Sequence, residues 1–503
     1  ARTDRLLLLT ALGNADHWWR MRAGTPPLGH RHQGKGTYEF LLLARYLRDQ
    51  ANPTPALRTL CDRWIDECCA FMDGLARACI DDQDDESTLN NLATIYRYAL
   101  GQERHEFFTS GRARQVARRC LALHDSNGNG AGQGGYGESQ GMYLQQEATV
   151  QTACCAFYYG DGEFKWILQT LPNLAISQRY YFLHYWPVFL QKFDTGHEVK
   201  PVPPPAGRAI EWLPVTDHQF AISNHPPINV EPSGHMVNAL ETWQLPEAVT
   251  LNRLPQARGF DKVVLRDGYT PDGSYLMIQG YQGGFRWQGH MQAANAIVRF
   301  FQAGHVWLVQ NTSRHSFHDK NGLHISDGRN DTPMPPIAEK IASADFPAFA
   351  LTVTRLGDYH HTDWTRHLFW SKAGGGAFVV IDRVAFHADG PYSLTCTWRT
   401  PGHATISGRR WVADQGDHRF TLVCADHVPA TCEVETDQGS CEPYVLRQRR
   451  AGSHRAGDEA SFQNLFHVGR QAANTVLDLQ RLDERSALLL RDGSPAAWCA
   501  AEL

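Results

Sequence analysis

Two hydrophobic periods divide this chain. Over residues 1–200 apolar positions recur at three- and four-residue spacing, one face of a helix, with almost no alternation. Thr37 to Tyr46 reads as one helix and Leu57 to Ile80 as another, with room for one break. Thr88 to Leu100 reads as a third. Asp84, Asp85 and Glu86 near its start suit the helix dipole, and Gly101 just past its end suits a C-cap. Arg112 to Leu123 follows, then a Gly-rich loop and a helix from about Ser139 to Tyr158. Trp166 to Phe193 reads as short aromatic helices interrupted at Pro172 and Pro187. Helix hairpins in series predict an α/α array or toroid.

Pro201-Val202-Pro203-Pro204-Pro205 is a stiff linker, and residues 206–258 read as an irregular, proline-rich connector. From Lys262 the period shortens to two. Tyr275–Ile278, Ala296–Phe301, Val306–Val309 and Phe349–Thr354 alternate, as do Phe378–Asp382, Ser393–Trp398, Phe420–Cys424 and Thr475–Leu479. Turn signals such as Pro271-Asp272-Gly273 separate them, which predicts a large antiparallel β-sandwich. The expected organisation is multidomain α+β: a helical domain over 1–200, a linker and connector over 201–258, and a sandwich over 259–503.

A length of 503 residues exceeds one ordinary core and agrees with that division. A net charge of -5 supplies no basic footprint for nucleic acid. No apolar run reaches membrane-spanning length. Leu6 to Leu9 reads as part of a helix, and a start at Ala1 leads us to expect that a leader or more has been removed. Cys68-Cys69 and Cys154-Cys155 lie in helical patterns as expected buried thiols, whereas Cys432 and Cys441 flank a turn and are placed to bridge.

Candidate chemistry sits at a few places. In the stretch Gly284 to Phe300, His290 and Asn295 lie just before an alternating run, the expected mouth of a sheet. His30, Arg31, His32 and Lys35 crowd a loop before a helix and suit an anionic ligand. Asn90-Asn91 lies on the third helix, where Asn is mildly unfavourable, so a cleft or an interhelix hydrogen bond would explain it. His124-Asp125-Ser126-Asn127-Gly128-Asn129-Gly130 looks like half a calcium loop, but Tyr136 stands where the closing Glu belongs. Glu138 and Tyr143 open the next helix, and a tyrosine can act as general acid or base. His315, His318, His324, His360, His361 and His367 match no zinc spacing; the metal reading pairs His290 with a later histidine such as His361.

A helical domain, an Asn on a helix, Gly-Tyr-x-Glu-Ser-x-x-x-Tyr, a linker, and strands with a Gly-His…Asn segment occur here in that order. This order resembles the heparinase II/III-like polysaccharide lyases, which join an (α/α) toroid to an antiparallel β-sandwich. Asn90-Asn91 stands where the family commonly has Asn-His, and Tyr143 matches its catalytic tyrosine. Gln288-Gly289-His290 replaces the usual His-Gly-His, with Gln292 in place of the following acid. His290 therefore either takes the catalytic place or keeps a structural one. Asp363-Trp364-Thr365-Arg366 and Val379 to Val384 look similar to the family's sandwich strands. At about 200 residues the helical part is short for a full toroid, so the toroid is expected to be incomplete or to have lost an N-terminal portion.

The resemblance implies β-elimination at a uronic acid of an anionic polysaccharide. Asn91 would neutralise the sugar carboxylate, Tyr143 or His290 would remove the C5 proton, and Tyr143 would protonate the leaving O4. His30, Arg31, His32, Lys35, Asn90, Glu138, Arg286, Gln288, Asn295 and His318 form the expected substrate-binding set. No cofactor is required; a structural zinc or calcium stays open. A periplasmic or secreted location is implied. Two other classes remain: a glycoside hydrolase using Glu138 or the Asp81 to Glu86 cluster, and a non-catalytic glycan-binding protein.

Overall fold

A computed structural model describes residues 5–13, 33–49, 53–78, 85–130, 141–174, 199–205, 209–215, 228–230, 236–238, 254–281, 294–309, 320–329, 334–335, 337–372, 376–426, 430–434, 444–472 and 475–501. Helix α1 covers 5–13, and α2 (Gln33–Asp49) packs along α3 (Pro55–Ala78). Thr37, Phe40, Leu41, Ala44 and Leu47 of α2 are buried, at the spacing of one helical face. They meet Cys61, Trp64, Ile65, Cys68 and Met72 of α3, with the Phe40 and Trp64 rings 5.2 Å apart. The break allowed for in α3 does not occur. Gly74 is a weak helix former, costing only about 1 kcal/mol, which packing on both sides of it offsets. Both adjacent cysteine pairs are buried, as expected, and burial raises the Cys155 thiol to about 12.

Helix α4 (Asp85–Gly101) links two cores: Tyr98 enters the α2–α3 core, whereas Ala93, Ile95, Tyr96 and Ala99 enter the next. Gly101 is the last residue of α4, not the residue beyond it. That second core gathers α5 (Glu106–Thr109), α6 (Arg112–Ala122), α7 (Gly141–Tyr159) and α8 (Gly162–Thr170). Asp161 caps α8, its carboxylate accepting from the Glu163 and Phe164 N–H groups at 3.0 and 3.4 Å. The remainder of the aromatic run, including Pro187, lies outside the described residues.

The segment read as an irregular connector holds three strands among its described residues. β1 (Ile210–Pro214) alternates poorly and ends in proline, which hid it; β2 (Ile228–Val230) and β3 (Met236–Asn238) pair with each other. β1 pairs antiparallel with β4 (Phe260–Arg266), which continues through β5 (Tyr275–Gln279), β6 (Ile297–Gln302) and β7 (His305–Leu308) into a five-stranded sheet. A larger sheet orders its eight strands β14-β15-β16-β19-β12-β11-β10-β9. These are β9 (Glu339–Asp345), β10 (Phe349–Leu356), β11 (Thr362–Ser371), β12 (Ala377–Phe386), β14 (His403–Ser407), β15 (Arg410–Gln415), β16 (His418–Cys424) and β19 (Glu459–Arg470). A third sheet joins β17 (Ala430–Val434), β18 (Tyr444–His454), β13 (Gly390–Thr400) and β8 (Gly322–Ser326) in that order. β20 (Leu477–Arg481), β21 (Ser486–Arg491) and β22 (Ser494–Ala500) form a fourth. The strand pairs among the described residues are antiparallel, and each alternating run picked from the sequence falls on a strand, although β12 and β13 extend three to four residues beyond the runs expected for them.

The five-stranded sheet is buried on both faces. Val263, Leu265, Leu276, Ile278 and Phe300 point into a core shared with the eight-stranded sheet, where the Phe300 and Phe378 rings lie 5.2 Å apart. Val264, Tyr275, Met277, Val298 and Phe301 point the other way, into the core of α4 to α8. β12 is double-faced too. Phe378, Val380 and Val384 join the main core, and Ala377, Val379 and Ile381 are covered by the β20–β22 sheet. This explains why Val379-Val380-Ile381 reads as an unbroken apolar run. Cys432 places its sulfur 3.1 Å from Trp411 Nε1, while its expected partner Cys441 lies outside the described residues.

His367 on β11 is buried between β10 and β12, and burial lowers its pKa to about 4. Its folded form refuses a proton that the unfolded chain, with an ordinary histidine near 6.5, accepts. Stability should therefore be complete above pH 6.5 and fall as the pH drops toward 4, by roughly 3 kcal/mol from this group at most. Urea unfolding at pH 4.5 and pH 7 should show His367→Gln with a shallower pH slope than the parent; an unchanged slope would remove His367 from the account.

Candidate functional site

The helices meet the five-stranded sheet through buried charge. Arg119 of α6 donates to Asp261 Oδ2 through Nε at 2.8 Å and Nη2 at 2.7 Å, and Lys262 Nζ reaches Asp261 Oδ1 at 2.8 Å. Arg299 of β6 pairs with Asp125 at 2.9 Å. Helix α6 ends at this seam, where its last carbonyls have no next turn to bond. Arg266 Nη2 donates to the Leu121 and His124 carbonyls, and Tyr275 Oη donates to Ala122 O at 2.8 Å. The chain's own Leu123 and His124 N–H groups close the last turn onto Arg119, Cys120 and Leu121, and the sheet adds the donors that reach Ala122 and His124.

Asp125 settles how its loop is built. Its Oδ1 accepts from the Asn127 and Asn129 N–H groups, each at 3.0 Å, and its Oδ2 accepts from Arg299. This is an Asx-type turn with a guanidinium as its cation. The single carboxylate read as half a calcium loop is fully buried and already engaged on both oxygens.

Asn295 does not stand at an open sheet mouth. It is fully buried with φ 67°, a left-handed conformation that Asn tolerates better than most residues. Its side-chain oxygen accepts from Thr354 Oγ1, and its Nδ2 lies 3.5 Å from Trp364 O. Arg366 Nη1 donates to its carbonyl at 2.8 Å. Arg366 in turn forks onto Asp382 of the neighbouring strand at 2.7 and 2.9 Å, and Trp364 Nε1 donates to the same carboxylate at 2.8 Å. Asn295 is therefore a structural residue at the entrance to β6, and its buried, engaged side chain does not reach a substrate as the sequence led us to expect. Asn321 was not singled out in the sequence. It bonds the Ile297 and Val309 carbonyls at 3.0 and 2.8 Å and accepts from Arg399 N at 2.7 Å, tying the five-stranded sheet to β13.

His361 lies in a turn where Asp358, His360 and His361 all adopt positive φ. Its Nε2 is 3.8 Å from Asp327 Oδ2, and His360 Nδ1 is 3.4 Å from Asp327 Oδ1. Among the described residues no group of three or more His, Cys, Asp or Glu has a metal-holding arrangement. His290, its suggested co-ligand, lies outside the described residues, as do His30, Arg31, His32, Glu138, Arg286, Gln288 and His318. Lys35 lies in α2, Asn90 and Asn91 in α4, and Tyr143 in the first turn of α7, with their side chains outside the described residues. The elements can still be related. α4 packs on α7, and both share one core with β6, the strand that follows the His290 segment.

No family model matches the chain, and no curated protein matches it. Among solved structures, the chain is similar to heparinase III, at 10% identity and TM-score 0.45, over 93% of this chain and 74% of that one. It is also similar to heparan sulfate lyase HepC from Pedobacter heparinus, at 11% identity and TM-score 0.43, over 95% and 75% of the two chains.

Asp125→Ala should leave Arg299 buried without its carboxylate and cost about 3–5 kcal/mol in urea unfolding. Asp125→Asn keeps an acceptor for the loop N–H groups and should cost less. A loss below about 1 kcal/mol in the Ala variant would show that the seam does not depend on this pair.

Proposed function

We propose that this protein is a polysaccharide lyase that cleaves a uronic-acid-containing anionic polysaccharide by β-elimination. In this reading the helical part is a short (α/α) toroid and the facing sheets are a β-sandwich. The observation that carries the reading is the shared core of α4, α7 and β6, because these elements bear or adjoin Asn91, Tyr143 and His290. The motif order in the sequence supplies the chemistry. C5–H beside a carboxylate is a weak acid, since removing its proton adds charge to a group already negative. An amide at Asn91 hydrogen-bonded to that carboxylate stabilises the enolate-like state. His290 or Tyr143 takes the C5 proton and Tyr143 returns one to O4 as the C4–O bond breaks. The product carries a C4–C5 double bond, and no water is consumed.

Among the described residues no helix is long and apolar enough to cross a membrane. A secreted or periplasmic enzyme would meet such polymers where they occur.

Incubation with glucuronan, alginate, hyaluronan and heparan-type chains should raise ultraviolet absorbance from the unsaturated product on at least one of them. Tyr143→Phe should lower that rate by at least about a hundredfold while polymer binding persists. New reducing ends without the absorbance would indicate a hydrolase, and binding alone a lectin-like protein. Full activity of Tyr143→Phe would remove the phenol from the mechanism.

A further inference from the structure

A cavity of about 320 Å³ lies at the seam between the helices and the five-stranded sheet. That is within the range of small-ligand sites, roughly 300–1,000 Å³. β4 contributes Arg266, the β4–β5 turn contributes Tyr269, α8 contributes Glu163 and Trp166, and β1 contributes Glu211. Pro203, Pro204 and Pro205 of the linker also line it. The turn is held by Asp267 N donating to Ser274 O at 2.9 Å, with Gly268 at φ +71°.

Arg266 sets the chemistry. It is only 6% exposed, and its guanidinium carbon lies 4.3 Å from the Tyr269 ring centroid and 4.6 Å from that of Tyr275. Its Nη2 is spent on the Leu121 and His124 carbonyls, while Nη1 has no hydrogen-bond partner among the described residues and is covered, so a ligand meets it only when the lining shifts. The other buried cations described at this seam are matched: Arg119 and Lys262 to Asp261, and Arg299 to Asp125. Arg266 forms no ion pair among the described residues, although a buried charge without a partner costs several kcal/mol. An anion entering beside it would complete the set.

The rest of the lining narrows the anion. Tyr269 and Trp166 offer aromatic surface, which suits the C–H face of a sugar ring. Glu163, Glu211 and Asp267 are acceptors for hydroxyl protons and would repel a ligand of high negative charge. Arg118 and Lys372 also line the cavity, the latter already holding Asp345. The ligand that fits is compact, hydroxylated and singly negative.

We propose that this cavity is a binding site for a single sugar acid, its carboxylate set against Arg266 and its ring against Tyr269. The inference rests on residues other than Asn91, Tyr143 and His290 and does not require elimination chemistry. Isothermal titration of the full chain with glucuronate and with glucose tests it without any activity readout. Glucuronate should bind in the micromolar to low millimolar range, and glucose at least about tenfold more weakly, as expected for one lost charge-assisted contact. Arg266→Gln should weaken glucuronate by about tenfold or more, Tyr269→Ala should weaken it several-fold, and Thr270→Trp, which places bulk at the exposed part of the lining, should abolish it. Circular dichroism reports whether Arg266→Gln folds; if it does not, the two turn variants decide. No glucuronate binding at millimolar concentration, equal binding of glucose, or unchanged binding in folded Tyr269→Ala and Thr270→Trp would overturn the proposal.

Discussion

A helix that ends inside a protein must find donors for its last carbonyls, and α6 ends against a sheet. Water cannot serve them there; Leu123 and His124 N–H groups take Arg119, Cys120 and Leu121, and the sheet completes the cap through Tyr275 on Ala122 and Arg266 on His124. The adjacent pairs Arg119–Asp261 and Arg299–Asp125 fix the same seam with directional bonds in place of sliding apolar contact. Apolar burial gives this interface its driving force, and the charges give it a register. Helices α4, α7 and α8 inherit their position from α6 because they share its core.

The five-stranded sheet is the layer on which the rest is stacked. One face meets the aromatic core of the eight-stranded sheet and the other meets the helices. A sheet covered on both sides has no freedom to shift register, since a one-residue slip would exchange the two faces. Asn321 and Asn295 stiffen its ends by bonding carbonyls and side chains of neighbouring elements. The backbones of α4, α7 and β6 thus rest on one shared core.

Much of this was legible in the chain and some was not, for identifiable reasons. The change of period near Lys262 marked the passage from helices to strands, because side-chain alternation follows directly from which faces are buried. The same rule missed β1, whose Ile-Glu-Trp-Leu-Pro pattern has no clean alternation, and the unbroken run Val379-Val380-Ile381 marked a strand covered twice without showing that β20–β22 supply the second cover. Asn295 beside a Gly-His pair suggested a reactive group, yet its positive φ and its bond to Thr354 serve the backbone. Asp125 suggested a cation site, and a cation is there, but it comes from Arg299, 174 positions later in the chain. Local spacing carries no information about such a distant partner. Arg366 and Asp382 lay within segments that looked family-like, and they face one another across the β11–β12 pair, a register that only pairing reveals.

The β20–β22 sheet lies late in the chain, yet it covers Ala377, Val379 and Ile381 on a strand made about a hundred residues earlier. On a ribosome adding roughly 5–20 residues per second, that apolar stripe waits about 5–20 seconds for its cover. During that interval β12 presents a sticky face to other nascent chains. Loss of β20–β22 would make the exposure permanent, so a chain truncated before Leu477 should be a client of chaperones and proteases before it is anything else.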